Sequence, residues 1–187
     1  MSTYTINVSF QTRVNKTTRT LEIAESFGLG LDEKDWTLYD NLELEVEQGD
    51  VVYITGQSGS GKSVVLRELQ RQMKEEGLSV ASIDDFTFDN DFNVIDQLGK
   101  TTSEALGLLS MAGLNDAYLF VRKPSEMSDG QKYRLKIAKL IESGAKVWAA
   151  DEFGAVLDRV TAQVVASNLQ RAALKVRATV LVATTHE

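Results

Sequence analysis

The chain has 187 residues, a net charge of −7 at pH 7, 43% hydrophobic residues and no cysteine. This length supports a sizeable hydrophobic core, and the ordinary apolar content excludes a largely disordered chain. The lack of cysteine excludes disulfides and cysteine-based zinc or redox sites and favours a cytoplasmic location, while the negative charge argues against nucleic-acid binding by overall electrostatics.

Membrane insertion is not expected from the sequence. No apolar run approaches the roughly 20 residues that a membrane-spanning helix needs. Residues 1–5 also lack the basic and apolar regions of a signal peptide. We therefore expect a soluble protein.

The N-terminal part of the chain carries strand patterns. Residues 4–10 alternate between apolar and polar side chains, and residues 20–24 are predicted to pair with them as a second strand. Residues 41–47 alternate leucine and valine with glutamate, which is typical of a half-exposed strand. These segments predict N-terminal antiparallel β-strands.

Buried strand patterns then alternate with helical patterns. The predicted strands are residues 51–55, 78–83, 146–150 and 178–183, and the predicted helices are residues 63–76, 131–142 and 160–175. This alternation indicates an α/β fold with a mainly parallel sheet covered by helices. The helical spacing in residues 96–117 interrupts it and predicts a short helical lobe, at about residues 90–127, inserted in a single domain of residues 1–187.

A glycine-rich segment follows the predicted strand at residues 51–55. It consists of Gly56, Gln57, Ser58, Gly59, Ser60, Gly61, Lys62 and Ser63, and Val64 continues it into the next helix. Glycines let successive N–H groups turn toward an anion, and the helix N-terminus adds partial positive charge. We predict that this loop binds the phosphates of ATP, with Lys62 at the β- and γ-phosphates and the Ser63 hydroxyl on Mg²⁺. The alternative, a Gly/Ser linker, is disfavoured by the flanking strand and helix.

Polar residues also follow two other predicted strands, at the edge where ligands gather in open α/β sheets. Asp151 is predicted to bind Mg²⁺, and Glu152 is predicted to orient or deprotonate the attacking water. His186, the only histidine, follows the last predicted strand and could hydrogen-bond the γ-phosphate. A lone histidine is otherwise often incidental.

A polar turn, Ser128 to Gln131, begins another predicted helix. Ser128 and Gln131 have the spacing of a capping box, which is a purely structural role. Capping does not require a glycine at Gly130. A ligand or the phosphate of another chain approaching the backbone would explain this glycine better.

The order of these motifs resembles the ATP-binding cassette (ABC) ATPase family. The matching segments are the phosphate loop, the signature-like residues 127–131, the Walker B residues 147–151 with Glu152, the D-loop-like residues 155–158, and His186. The resemblance covers residue 41 to the C-terminus and implies a P-loop NTPase fold with an ABC-type nucleotide-binding domain. It also raises His186 from an incidental residue to the switch histidine of the family.

The resemblance further implies a head-to-tail homodimer that binds two ATP molecules. Each ATP would lie between the phosphate loop of one subunit and Ser128, Gly130 and Gln131 of the other, and Asp158 would communicate across that interface. Trp36 is expected to stack on adenine, although packing under the strand at residues 41–47 explains it equally well.

The chain departs from the family pattern at several points. Asp129 replaces the signature glycine, which adds negative charge near a triphosphate and is expected to slow hydrolysis or to require a compensating cation. The Q-loop glutamine is absent after residues 78–83, where Asp84 or Asp85 stands; Asp85 is preferred as an Mg²⁺ ligand, and a solvated acidic turn is the alternative. The short lobe and the end at residue 187 predict a truncated or unusually compact member.

The preferred function is therefore that of a soluble, cytoplasmic ATPase that dimerises around ATP and Mg²⁺ and switches an unidentified protein partner or a missing C-terminal domain. Residues 27–33, with parts of the phosphate loop and signature, also resemble a group in which such an ATPase is joined to an acetyltransferase domain. The alternatives are an ATPase subunit of a membrane transporter and, less favoured, a small-molecule kinase or a DNA-associated ATPase. Nucleic-acid binding stays open.

Overall fold

The computed structural model describes residues 1–185, which form two compact units. One unit comprises Thr3–Leu44, and the other runs from Glu45 onward together with Met1 and Ser2. None of the helices in residues 1–185 is both long and apolar enough to cross a bilayer. The expectation of a single domain over residues 1–187 stays a prediction.

The first unit contains two paired strands and a helix. Its elements are β1 (Ser2–Thr12), α1 (Thr18–Phe27) and β2 (Lys34–Val46). The backbone N–H of Asn41 donates to Asn7 Oδ1, and that of Lys34 donates to Thr12 Oγ1. Later residues of β1 thus lie beside earlier residues of β2, which makes the pair antiparallel, as predicted.

The prediction of a strand at residues 20–24 is wrong, because these residues lie in α1. The helix begins with a reciprocal cap, in which the Thr17 hydroxyl accepts from the N–H of Thr20 and the Thr20 hydroxyl accepts from the N–H of Thr17. At its end, Gly28 adopts a φ of 64° and donates its N–H to Ala24 O. The threonine pair takes the place of the usual Ser/Thr and Glu/Gln pair, so the helix start was missed.

The second unit is built on a four-stranded parallel sheet with the order β3-β6-β5-β4. The strands are β3 (Val51–Thr55), β4 (Val80–Ser82), β5 (Val147–Ala150) and β6 (Thr179–Thr184). Every residue of β5 and β6 is buried, as expected for central strands covered on both faces. The predicted mainly parallel sheet is confirmed, with boundary shifts of one to two residues for β4 and one residue for β5 and β6.

Five helices accompany this sheet. They are α2 (Lys62–Glu75), α3 (Thr102–Met111), α4 (Ala117–Phe120), α5 (Asp129–Ser143) and α6 (Arg159–Val176). The helix α2 contacts β3, β4 and β6, whereas α5 and α6 pack against each other and contact β4 and β6, respectively. The helices α3 and α4 lie in the predicted lobe. All four strands end at the same edge, so the polar residues that follow them converge there.

Candidate nucleotide-binding site

The phosphate loop connects β3 to α2 and depends on its glycines. Gly61 is the N-cap of α2 and has a φ of 89°, a left-handed value that side chains rarely adopt. A Cβ on Gly56 would lie 2.8 Å from Ser60 Oγ. No side chain caps the start of α2, so its first amides face the loop without a side-chain acceptor. The loop therefore presents backbone donors to an anion.

Lys62 folds back across this loop. Its Nζ donates to the carbonyl oxygens of Gly56 at 2.7 Å and Gln57 at 2.6 Å. The ammonium group is thus already held at the loop by two neutral acceptors. An incoming phosphate would offer charged acceptors instead, which make stronger hydrogen bonds to a cation.

Ser63 joins the loop to the end of β5. Its hydroxyl donates to Asp151 Oδ1 at 2.9 Å, and both side chains are partly buried. A hydroxyl and a carboxylate side by side are the hard oxygen ligands that Mg²⁺ prefers. Within residues 1–185 no group of three His, Cys, Asp or Glu side chains could hold a metal. Mg²⁺ takes one or two carboxylates and completes its shell with water and phosphate oxygens.

Asp84 also contacts Asp151. Its Oδ2 accepts a hydrogen bond from the backbone N–H of Asp151 at 3.2 Å. The hydroxyl of Ser82 accepts from the N–H of Asp84 and starts the short 3₁₀ turn Ile83–Asp85. Asp85 is the predicted Mg²⁺ ligand, whereas the structure brings Asp84 to Asp151. Asp85 as a ligand stays a prediction.

Glu152, the predicted general base, has an unusual backbone conformation. Its φ is 48°, a left-handed value for a non-glycine residue, and its side chain is exposed. Its N–H donates to Asp151 Oδ1 at 2.9 Å, so this oxygen accepts from both Ser63 and Glu152. Backbone strain of this kind clusters at functional sites.

The residues after Glu152 are fixed from two sides. Phe153 donates its N–H to Ala183 O at 2.9 Å, and the Thr184 hydroxyl donates to Phe153 O at 3.0 Å. On the other side, the N–H of Gly154 donates to the Tyr133 hydroxyl at 3.3 Å, and the Tyr133 ring meets Phe153 edge-on. The loop is therefore attached to both β6 and α5.

Tyr133 was missed by the sequence analysis. It lies in α5, five residues after Ser128, where the available signal was an aromatic residue on the helix that follows the signature-like turn. Burial raises the pKa of the Tyr133 hydroxyl, a group that is protonated at neutral pH even at its usual pKa. Its hydroxyl links α5 to the loop that carries Glu152.

The Ser128 turn forms the predicted capping box. Ser128 Oγ accepts from the N–H of Gln131 at 3.3 Å, and Gln131 Oε1 accepts from the N–H of Ser128 at 2.8 Å. Ser128 and Asp129 are exposed. Gly130 is buried, and a Cβ there would lie 2.6 Å from Thr161 Cγ2 of α6. The packing of α5 on α6 thus explains this glycine, and the argument that Gly130 indicates a nearby ligand is not needed.

Two other predicted residues have contacts of their own, and a third falls outside the described residues. Trp36 belongs to β2 in the first unit, is 58% exposed and stacks on Phe10 with ring centroids 6.2 Å apart. Because Trp36 is part of the same strand as residues 41–46, it does not pack beneath a separate strand there. Asp158 caps α6, and its hydrogen bonds from Thr161 lower the pKa of its carboxyl. His186 lies outside the described residues.

The chain is similar to several known proteins. A family model described as "AAA domain" (AAA_22) matches residues 45–183. The methionine import ATP-binding protein MetN 2 of Oceanobacillus iheyensis is 28% identical over 84% of the chain and 55% of its own length. The aliphatic sulfonates import ATP-binding protein SsuB 2 of Rhodococcus jostii is 30% identical over 80% of the chain and 67% of its own length. The chain thus spans about half the length of the methionine-import relative.

A solved structure shows the same fold. It is a dimeric, post-hydrolysis state of the ATP-binding cassette MJ0796 bound to ADP and Pi, with a TM-score of 0.64 and 18% identity, covering 99% of this chain and 88% of that one. The likeness to the acetyltransferase-linked group stays a prediction. The matched family model, the import ATP-binding relatives and the cassette fold confirm the resemblance drawn from the motifs: the chain belongs to the ABC ATPase family of P-loop NTPases.

Proposed function

We propose that this chain binds ATP with Mg²⁺ and hydrolyses it to ADP and phosphate. The observation that carries the proposal is the hydrogen bond of 2.9 Å between Ser63 Oγ and Asp151 Oδ1. It places a hydroxyl and a carboxylate beside an uncapped helix N-terminus and the Lys62 ammonium group. These are the groups that a magnesium triphosphate requires.

Binding begins with an exchange of partners at the loop. The β- and γ-phosphates replace the carbonyl oxygens of Gly56 and Gln57 as acceptors for Lys62 Nζ, and the first amides of α2 donate to the phosphates. Ser63 and Asp151 would hold Mg²⁺, which neutralises charge on the β- and γ-phosphate oxygens when bound.

Hydrolysis then requires a base beside the γ-phosphate. A water oxygen attacks the γ-phosphorus while the Glu152 carboxylate accepts its proton, and the bond from the γ-phosphorus to the bridging oxygen breaks with the electron pair leaving on ADP. The hydrogen bonds of Phe153 and Gly154 hold this loop, so Glu152 keeps its position as charge moves. His186, if it acts as the switch residue, would contact the same γ-phosphate.

The proposal includes a second copy of the chain. Ser128 and Asp129 are exposed at the start of α5, so another subunit's triphosphate can reach this turn. The similar cassette MJ0796 is described as dimeric. In the proposed head-to-tail dimer, Ser128, Gly130 and Gln131 of one copy cover the ATP on the phosphate loop of the other. The extra charge of Asp129 near that phosphate slows turnover.

The dimer would act as a switch for a protein partner. A second candidate function, the ATPase subunit of an importer, is favoured by the names of the MetN and SsuB relatives. A cavity of about 490 Å³ in the helical lobe, lined by Leu98, Leu106 and Phe120 among others, could receive a segment of a membrane partner. Co-purification with a membrane protein, lost in Leu106→Glu, would support the importer. A cytoplasmic location and Trp36 as the adenine contact stay predictions.

The test uses Glu152→Gln, which removes the base and keeps the side-chain shape. We expect phosphate release to fall by about 10²- to 10⁴-fold. We also expect ATP with Mg²⁺ to convert the variant from monomer to dimer in light scattering, because the trapped ATP is not cleaved. Glu25→Gln, at an exposed glutamate of α1, makes the same change of side chain and is the matched control, which should keep hydrolysis. Unchanged phosphate release in Glu152→Gln would remove Glu152 from the role of base.

A further inference from the structure

A second polar cavity lies between the end of α3, α5 and α6. Its volume is about 330 Å³, and it shares no lining residue with the phosphate loop or with Asp151. The polar side chains of its lining are Ser110, Asn115, Arg134, Asn168, Arg171 and Lys175. Three of these six are cations, and no carboxylate lines the cavity.

The positive charge of this cavity is unusual for the chain. The protein carries a net charge of −7, yet none of the ion pairs found within residues 1–185 involves Arg134, Arg171 or Lys175. Like charges that share a site repel one another, and an anion between them would relieve that repulsion. The cavity is therefore complementary to a negatively charged ligand.

One of the three cations is held in place by hydrogen bonds, and the other two share a helix face. Arg134 donates through Nε to Gly130 O at 3.2 Å and through Nη1 to Gly113 O at 3.3 Å, and its side chain is half-buried. These bonds fix the guanidinium plane, so less conformational entropy is lost when a ligand binds. Arg171 and Lys175 are four residues apart on α6 and share one helix face.

We propose that this cavity binds a small anion bearing phosphate groups, such as a phosphate monoester or a diphosphate. The volume lies at the lower end of the range for small-molecule sites, which favours a compact ligand over a polymer. Three cations match a ligand with two or more negative charges, and guanidinium groups bind phosphate oxygens in pairs. The amides of Asn115 and Asn168 supply further donors.

The test uses inorganic pyrophosphate and isothermal titration calorimetry without Mg²⁺. The background is Lys62→Ala, which removes the main cation of the phosphate loop, so that pyrophosphate bound there does not obscure the second site. In this background we expect one site with a dissociation constant below ~1 mM. Adding Arg171→Glu and Lys175→Glu should weaken pyrophosphate binding by about tenfold or more.

The control is Lys16→Glu with Arg19→Glu in the same background. It makes the same change of charge on exposed residues outside the cavity and should alter affinity less than about twofold. The milder pair Arg171→Gln and Lys175→Gln serves if the glutamate pair fails to fold, with circular dichroism as the check. No binding in Lys62→Ala, or equal weakening by the control pair, would overturn the site. Citrate binding as tightly as pyrophosphate would overturn the preference for phosphate.

Discussion

The phosphate loop and the Ser128 turn both place a glycine at the start of a helix, yet the two glycines have different physical causes. Gly61 adopts a φ of 89°, which its own backbone requires. Gly130 is helical, and it is kept small by Thr161 of the neighbouring helix. The first cause is local and therefore visible in a sequence, whereas the second arises only from packing. A glycine in a motif is thus not by itself a sign of a ligand.

Replacing Gly61 by Ala tests the local cause and has the largest expected effect. A Cβ at this φ costs about 1–2 kcal/mol, and the loop would relax away from the conformation that faces its amides inward. We expect ATP affinity to fall at least tenfold, about 1.4 kcal/mol or more, in titration calorimetry. Gly107→Ala, at a helical glycine with open space around its missing Cβ, is the control and should bind ATP normally. Normal affinity in Gly61→Ala would show that the loop does not need this conformation.

Replacing Gly130 by Ala tests the packing cause. The new Cβ would lie 2.6 Å from Thr161 Cγ2, and overpacking of this kind costs about 1–3 kcal/mol of unfolding free energy. Thr161→Ser removes that methyl group and keeps the hydroxyl, so the double variant should regain most of the loss. Urea denaturation gives the unfolding free energy of the parent, the two single variants and the double variant. A destabilisation that Thr161→Ser does not relieve would contradict the packing explanation.

Replacing Tyr133 by Phe tests the link between α5, the helix that begins at the Ser128 turn, and the loop that carries Glu152. The variant removes the acceptor for the N–H of Gly154, a buried residue, which should cost about 1–3 kcal/mol. We also expect slower ATP hydrolysis at unchanged ATP affinity, because the loop that carries Glu152 loses one anchor. Tyr118→Phe, at a residue that is 64% exposed, is the control. Unchanged turnover in Tyr133→Phe would show that β6 alone holds the loop.

The smallest expected effect is at Asp158, and it is a dependence of stability on pH. Hydrogen bonds from Thr161 hold the pKa of Asp158 below its usual value of 3.8. Its contribution to stability is therefore complete above about pH 3.8 and is lost as the pH falls through the lower pKa of the folded state. Asp158→Asn should flatten the acid limb of a melting-temperature profile below pH 4. An acid limb identical to that of the parent would exclude this role.

The same division between local and tertiary causes explains what could be predicted. The strand at residues 51–55 and the loop after it follow from a short apolar run and glycine chemistry, and the structure has that strand with the predicted bounds. The start of α1 was missed because two threonines take the place of the usual capping pair. The contacts of Asp84 with Asp151 and of Tyr133 with Gly154 join residues 67 and 21 positions apart. No local pattern encodes such contacts, so they could not be predicted from the sequence.

We expect the amides around Lys62, with Ser63 and Asp151, to bind a magnesium triphosphate. Titration calorimetry of ATP into the parent and Lys62→Ala, each with and without Mg²⁺, tests it most directly. Lys74→Ala, at the far end of the same helix, is the matched control. We predict Mg²⁺-dependent binding in the parent and the control, and a loss of affinity of at least tenfold in Lys62→Ala, which is about 1.4 kcal/mol. Equal ATP affinity in Lys62→Ala and Lys74→Ala would contradict it.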